Sequence, residues 1–194
     1  MKIKELNPIY RYREEILKLE TSQRKYVVFL CGPSIKKRHD HGAILRRQLK
    51  KTLEINGFDV VLGEDDGLED VRINSGNDAQ TNEIMFISSQ CSEVIIIASS
   101  PGSFCELGAF TACLTMGIDK KKLRNKGFIL IISDEHEGQK SFVNSGPAKV
   151  IDCYTGKVHY ESFKKFEVSK IIDRLKHRRV MYFQDMRGRK RKEG

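Results

Sequence analysis

The chain lacks any apolar run long enough to span a bilayer. Its longest runs, "VIII" (94–97) and "FILII" (128–132), fall far short of the roughly 20 residues a transmembrane helix needs. The N-terminus "MKIKELNPIYRYREE" has no apolar h-region, so no signal peptide is expected. No two cysteines form a CxxC pair. The five, at 31, 91, 105, 113 and 153, read as reduced thiols of a cytoplasmic protein. "CGPSIKKR" lacks the GK[ST] of a phosphate loop, and no GxGxxG follows the first apolar strand. Those absences argue against a kinase-like NTPase and against a hydride-transfer dehydrogenase. No Cys/His set has zinc spacing. "HDH" (39–41) is a weak metal candidate that reads better as a polar loop, so neither a metal nor another cofactor is expected.

What the chain does have is positive charge. Its 194 residues, the size of one domain with appendages, carry a net +9. Such an excess favours anionic partners: nucleotides, nucleic acid or acidic surfaces. "KHRR" (176–179) and "RGRKRK" (187–192) supply nine basic residues among ten, counting His177. Arg187, Arg189, Lys190, Arg191 and Lys192 are therefore candidate nucleic-acid contacts, or simply a solvated tail. No aromatic interleaves with them, so any binding there would be electrostatic and salt-sensitive.

Apolar and polar stretches alternate along the chain. Residues 8–20 have helical spacing, with Ile9, Tyr12, Ile16 and Leu19 on one face. "KYVVFLCG" (25–32), "DVVLGED" (59–65), "EVIIIAS" (93–99) and "GFILIIS" (127–133) read as buried strands. "GAILRRQLKKTLEINGF" (42–58), "DAQTNEIMFISSQC" (78–91) and "ELGAFTACLTMG" (106–117) read as helices. "AKVIDC" and "KVHYES" read as short edge strands, and 161–183 as a last helix. Strands alternating with helices imply a doubly wound, mainly parallel α/β sheet of flavodoxin or Rossmann type. The strands are apolar throughout, as a sheet covered on both faces requires. The expected organisation is a helical extension over 1–24, the α/β domain over 25–160, a helix over 161–185 and a disordered basic tail over 186–194.

Open parallel sheets bind ligands outside the carboxyl ends of their strands. Four polar loops lie there: "CGPSIKKRHDH", "GEDDGLED", "SSPGSFCE" and "SDEHEGQKSFVNSGP". Glu106 stands out in the third. Ser103-x-x-Glu106 matches a capping box, in which the carboxylate would serve the helix start. The same helix dipole would hold Glu106 ionised at neutral pH. An ionised carboxylate at a sheet rim suits attack on an anomeric carbon, or stabilisation of the cation left when an N-glycosidic bond breaks. Pro101 and Gly102 would let a sugar approach the backbone. Asp65 and Asp66 are candidates for ribose hydroxyls, and Lys36, Lys37 and Arg38 for phosphate. Tyr26, Phe29 and Phe104 are candidates for stacking on a base, with core packing the competing role of the first two.

The blocks "VVFLCG", "LRRQLKK", "VIIIASSPGSFCELGAF" and "KSFVNSGP", in that order over about residues 25–150, resemble the nucleoside 2-deoxyribosyltransferase-like family. Within it they are most similar to the N-terminal domain of retron-associated effectors of anti-phage defence, relatives of TIR-like enzymes that cleave NAD. The resemblance implies that Glu106 is the catalytic glutamate and that Ser103 lines the same pocket. It implies that Gly32, Pro33, Ser34, Ser100, Pro101, Gly102 and Phe104 border the substrate, that Asp65 and Asp66 bind ribose, and that Asn144 closes the site. It further implies an N-glycosidase or transferase acting on NAD or a nucleotide, in a prokaryotic defence effector or toxin. Such enzymes are often homo-oligomers under the control of a partner. A nucleotide-binding sensor without catalysis, and a nucleic-acid-binding module, are the other functions open at this stage. The retron effectors continue into a winged-helix-like domain, for which this chain offers only the last helix and the basic tail.

Overall fold

The computed structural model describes residues 25–64, 78–116, 123–154 and 156–188, with side chains of the last helix to Phe183. The expected helix over 8–20, Asp65, Asp66 and residues 189–194 of the tail lie outside the described residues. By its contacts the chain divides into two units. One, Tyr26–Ile172, holds the sheet. The other comprises Met1–Lys25 and Asp173–Gly194, and its described part is Lys25 and the helical stretch to Gly188.

The sheet has five parallel strands in the order β2-β1-β3-β4-β5. They are β1 (Val27–Cys31), β2 (Asp59–Val61), β3 (Glu93–Ala98), β4 (Gly127–Ile132) and β5 (Lys157–Tyr160). Between them run α1 (His41–Ile55), α2 (Ala79–Gln90), α3 (Pro101–Met116) and α4 (Lys149–Cys153), and α5 (Val168–Gly188) follows β5. The doubly wound parallel architecture is the one the sequence pattern implies.

Strand alternation assigns the two faces. Phe29 and Cys31, then Val94, Ile96 and Ala98, then Phe128, Leu130 and Ile132 share one core cluster with Ile87 of α2, Leu107, Phe110 and Leu114 of α3 and Ile151 of α4. Val28, Leu30, Ile95, Ile97, Ile129 and Ile131 have the opposite parity and are equally buried. On α1, which contacts β1, β2 and β3, Leu45, Leu49 and Leu53 are buried at helical spacing. Burial on both faces explains why the strands read as unbroken apolar runs.

Three local expectations are corrected. "AKVIDC" is not a strand: a π-helical turn (Asn144–Ala148) leads into α4. Its buried residues Ala148 and Ile151 are three apart, a helical spacing that its β-branched content masks. The last helix begins at Val168 rather than 161. Glu161 N–H bonds to Ile132 O at 3.0 Å and so continues β5, and Ser162 O accepts from Lys165 N in a turn (3.0 Å). The third helix starts at Pro101, five residues early, for a reason that belongs to the site.

The strand order reverses between β1 and β3, which opens a crevice at their carboxyl ends. There α1 enters very tightly. A Cβ on Gly42 would collide with Ser99 Oγ and meet Pro33 Cγ at 3.1 Å. Glycine thus lets the start of α1 seat against the loops after both strands. Gly42→Val is expected to lower the free energy of unfolding by about 1–3 kcal/mol, read as a lower urea midpoint at unchanged slope. An unchanged midpoint would show slack at this junction.

Candidate active site

The start of α3 is built from two serines. Ser103 N–H donates to Ser100 Oγ (3.3 Å), and Ser100 N–H donates to Ser103 Oγ (2.9 Å). Ser103 Oγ also accepts from Ser99 N–H (3.1 Å) and donates to Ser100 O (2.9 Å). This is a reciprocal capping box with Ser100 at the N-cap and Ser103 in the position Glu or Gln usually fills. Pro101 takes the first helical position, where its missing N–H costs nothing. Ser103 is buried, and its hydroxyl is committed to backbone.

The Ser103-x-x-Glu106 capping box is therefore not the one that forms. Glu106 lies beyond the first turn, where the helix dipole has fallen off. Its Oε2 is buried and has no hydrogen-bond partner among the described residues. Its carboxyl is raised from an ordinary 4.5 to about 7, by burial first and then by the Glu83 carboxylate, with the Arg46 guanidinium opposing and Glu64 adding. The expectation of a carboxylate held fully ionised at neutral pH is corrected accordingly.

Three charged side chains from other elements complete the site. Arg46 of α1 is 2% exposed. Its Nε and Nη2 donate to Leu30 O (3.1 and 2.7 Å) and its Nη1 to Pro33 O (3.2 Å). Its Nη1 and Nη2 also grip Glu64 Oε1 and Oε2 at 2.7 and 2.8 Å. Gly32, at φ +155°, gives this side chain room: a Cβ there would meet Arg46 Cδ and Ile97 Cβ, each at 3.2 Å. Glu83 of α2 presses its Oε1 against Gly63, where a Cβ would collide with it. Burial raises the Glu83 carboxyl to about 6, with Arg46 opposing and Glu64 adding. Cys31, at the end of β1, is raised well above its usual value, first by burial and then by Glu106 and Glu83.

Sequence reasoning missed Arg46, Glu64 and Glu83 as site residues. Two left a readable signal. Arg46 is spaced with Gly42, Leu49 and Leu53 on the buried stripe of α1, and Glu83 is one turn before the buried Ile87 of α2. A charge on an apolar stripe is rarely buried without a partner or a task. Glu64 left no such signal; it stands beside the expected Asp65 and Asp66.

The other expected residues divide. Gly32, Pro33, Ser100, Pro101, Gly102 and Ser103 gather at the β1 and β3 ends with Glu106. Gly102 lies one turn before Glu106, hence on the same helix face, and a Cβ on it would meet nothing within 4 Å. Ser34 shapes the next turn, accepting from Lys37 N–H on its carbonyl (3.1 Å) and from Lys36 N–H on Oγ (3.4 Å). Lys36, Lys37 and Arg38 are exposed on that loop. Asp40 caps α1 through Ala43 N–H at 2.9 Å, and among the described residues no group of three potential ligands could hold a metal. Tyr26 and Phe29 are core residues, and Tyr26 OH donates to the buried Glu93 (2.9 Å). Phe104 is half-buried, its ring edge-on to His136 at 6.1 Å. Asn144 staples its own loop: Nδ2 donates to His136 O and Gln139 O, and Oδ1 accepts from Tyr160 OH (3.1 Å). Arg187 lies in the last turn of α5.

Fold and site together define a flavodoxin-type α/β domain with an acidic centre at its topological switch point. Residues 42–191 match the family model described as STM3845 retron effector protein, and the chain belongs to that family. It is similar to an Escherichia coli protein described as "Retron Ec86 putative ribosyltransferase/DNA-binding protein", with 26% identity over 133 residues. The aligned stretch covers 69% of this chain and 39% of that relative. Among the described residues no helix is long and apolar enough to cross a membrane.

The raised Glu106 carboxyl has a consequence for stability. Its value in the folded protein, about 7, exceeds the ordinary 4.5, so its contribution is full below about 4.5 and is lost as pH rises through about 7. Glu106→Gln cannot ionise. It should lose less stability than the wild type between pH 5 and 8 in urea denaturation at both pH values. Parallel losses would show that Glu106 is not raised.

Proposed function

We propose that the protein is an N-glycosidase or glycosyl transferase that cleaves the base–ribose bond of NAD or a nucleotide, as a retron-type defence effector. The observation that carries this reading is Glu106: a carboxyl with one buried oxygen that has no partner among the described residues, poised to ionise near neutrality, where open α/β sheets bind ligands. The description of the Escherichia coli relative as a ribosyltransferase supports it.

In this reading the ionised Glu106 meets C1′ of the sugar, either attacking it or stabilising the oxocarbenium-like cation. The C1′–N bond breaks and its electron pair leaves with the base. Nicotinamide departs neutral, whereas a purine or pyrimidine takes up a proton, which the raised Glu83 carboxyl is suited to give. Water or a second nucleotide then takes the sugar. Gly102 leaves space beside Glu106 for the ribose, and Lys36, Lys37 and Arg38 flank the same rim for phosphate. Ser103 acts by fixing the turn that presents Glu106.

The test is base release, followed by chromatography, from NAD and a panel of nucleotides and deoxynucleosides. Release by the wild type, reduced at least 100-fold in Glu106→Gln that still folds, is expected, with an acid limb in kcat/KM for NAD near pH 7 from the ionisation of Glu106. Equal release by both proteins would remove Glu106 from the chemistry. Binding without release, in both proteins and with any partner added, would make the domain a nucleotide sensor.

The DNA-binding description of the same relative, with the basic residues at 176–179 and 187–192, supports nucleic-acid contact through the C-terminal segment. Deleting 187–192 is expected to weaken binding to single-stranded DNA and flatten its salt dependence. Undiminished affinity would place the contact elsewhere.

A further inference from the structure

Glu106 interacts electrostatically with groups from four other elements: Glu83 from α2, Arg46 from α1, Glu64 from the segment after β2, and the Cys31 thiol from β1. Arg46 is the one cation among them. All five of its N–H donors are engaged, three with the Leu30 and Pro33 carbonyls and two with Glu64. The carbonyls anchor the guanidinium without touching its charge, whereas Glu64 meets that charge in a parallel two-point grip. The two partners differ in freedom: Arg46 is 2% exposed and Glu64 42%. Gly63, next in chain to Glu64, lies under the Glu83 carboxylate, so the segment carrying Glu64 also borders the second acid.

We propose that Glu64 is a positioning residue of the reaction: by clasping Arg46 it divides that guanidinium's charge between itself and Glu106, and so decides how readily Glu106 ionises. The inference rests on the reading of Glu106 as the reactive carboxyl. Glu64 need not touch substrate. While the pair is closed, Arg46 is largely neutralised and burial dominates at Glu106. When the Glu64 charge is removed, the full positive charge of Arg46 acts across a poorly solvated space, where opposite charges favour ionisation strongly. Glu64 thereby works against Arg46 even though it stabilises it.

The signature is a pair of opposite shifts. In the pH profile of base release, Glu64→Gln should move the acid limb down by roughly one unit, because glutamine can still accept from Arg46 but carries no charge. Arg46→Gln should move the limb up. If that protein does not fold, Arg46→Lys, which keeps the charge, should leave the limb within a few tenths of the wild type while lowering kcat. A purely structural pair would scale the rate equally at every pH and leave the limb of Glu64→Gln in place, which would overturn the proposal. Should the wild type release no base from any substrate, the Glu106 carboxyl is titrated directly by carbon-13 NMR in the wild type and Glu64→Gln. A lower midpoint in Glu64→Gln upholds the charge-setting role and puts the failure in the assigned reaction. Coincident midpoints overturn the proposal.

Discussion

A buried guanidinium cannot shed its proton to escape burial, so each of its donors must find an acceptor. Arg46 does so at the carboxyl end of β1, where strand carbonyls run out of neighbours. It binds Leu30 O and Pro33 O and reaches Glu64. One side chain from α1 thereby ties together the loop after β1 and the segment after β2. The room left by Gly32 and the charges felt by Glu106 and Glu83 all presuppose Arg46 in that position.

The two sides of the crevice are held by different chemistry. Around β1 the hold is ionic and bidentate. After β3 it is a set of neutral hydrogen bonds between Ser100, Ser103 and the turn backbone. A neutral cap has a specific effect here. A carboxylate in the capping position would have been tied to the first-turn amides and kept ionised. With serines in that role, the carboxylate one turn further on keeps one buried oxygen without a partner among the described residues.

Much of the fold was legible in the sequence because sheet position is written in apolar runs. A strand buried on both faces has no polar phase, and each of the four long runs became a strand. Element ends were harder. The capping box Ser100-Pro-Gly-Ser103 uses the same residue types as the competing Ser103-x-x-Glu106, and only the hydrogen bonds distinguish them. α4 was hidden because Val150 and Ile151 favour strands locally, whereas the burial of Ala148 and Ile151 follows a helical turn. At the site, Glu106 was visible through its position after a strand. Arg46 and Glu83 were visible only as charges on apolar stripes, whose charges come to act on one another once α1 and α2 are placed on the sheet.

Cys31 shares the field that raises Glu106. A thiol in solution is a few per cent thiolate at neutral pH, but this one is buried beside carboxylates that penalise a second negative charge. The burial and like charge that keep Glu106 partly protonated near neutrality thus also keep the neighbouring sulfur protonated, and a protonated thiol neither attacks carbon nor oxidises readily. The rim is protected from alkylation and peroxide at its most central cysteine, while the exposed Cys105 and Cys153 stand as the thiols that oxidants and alkylating agents meet first.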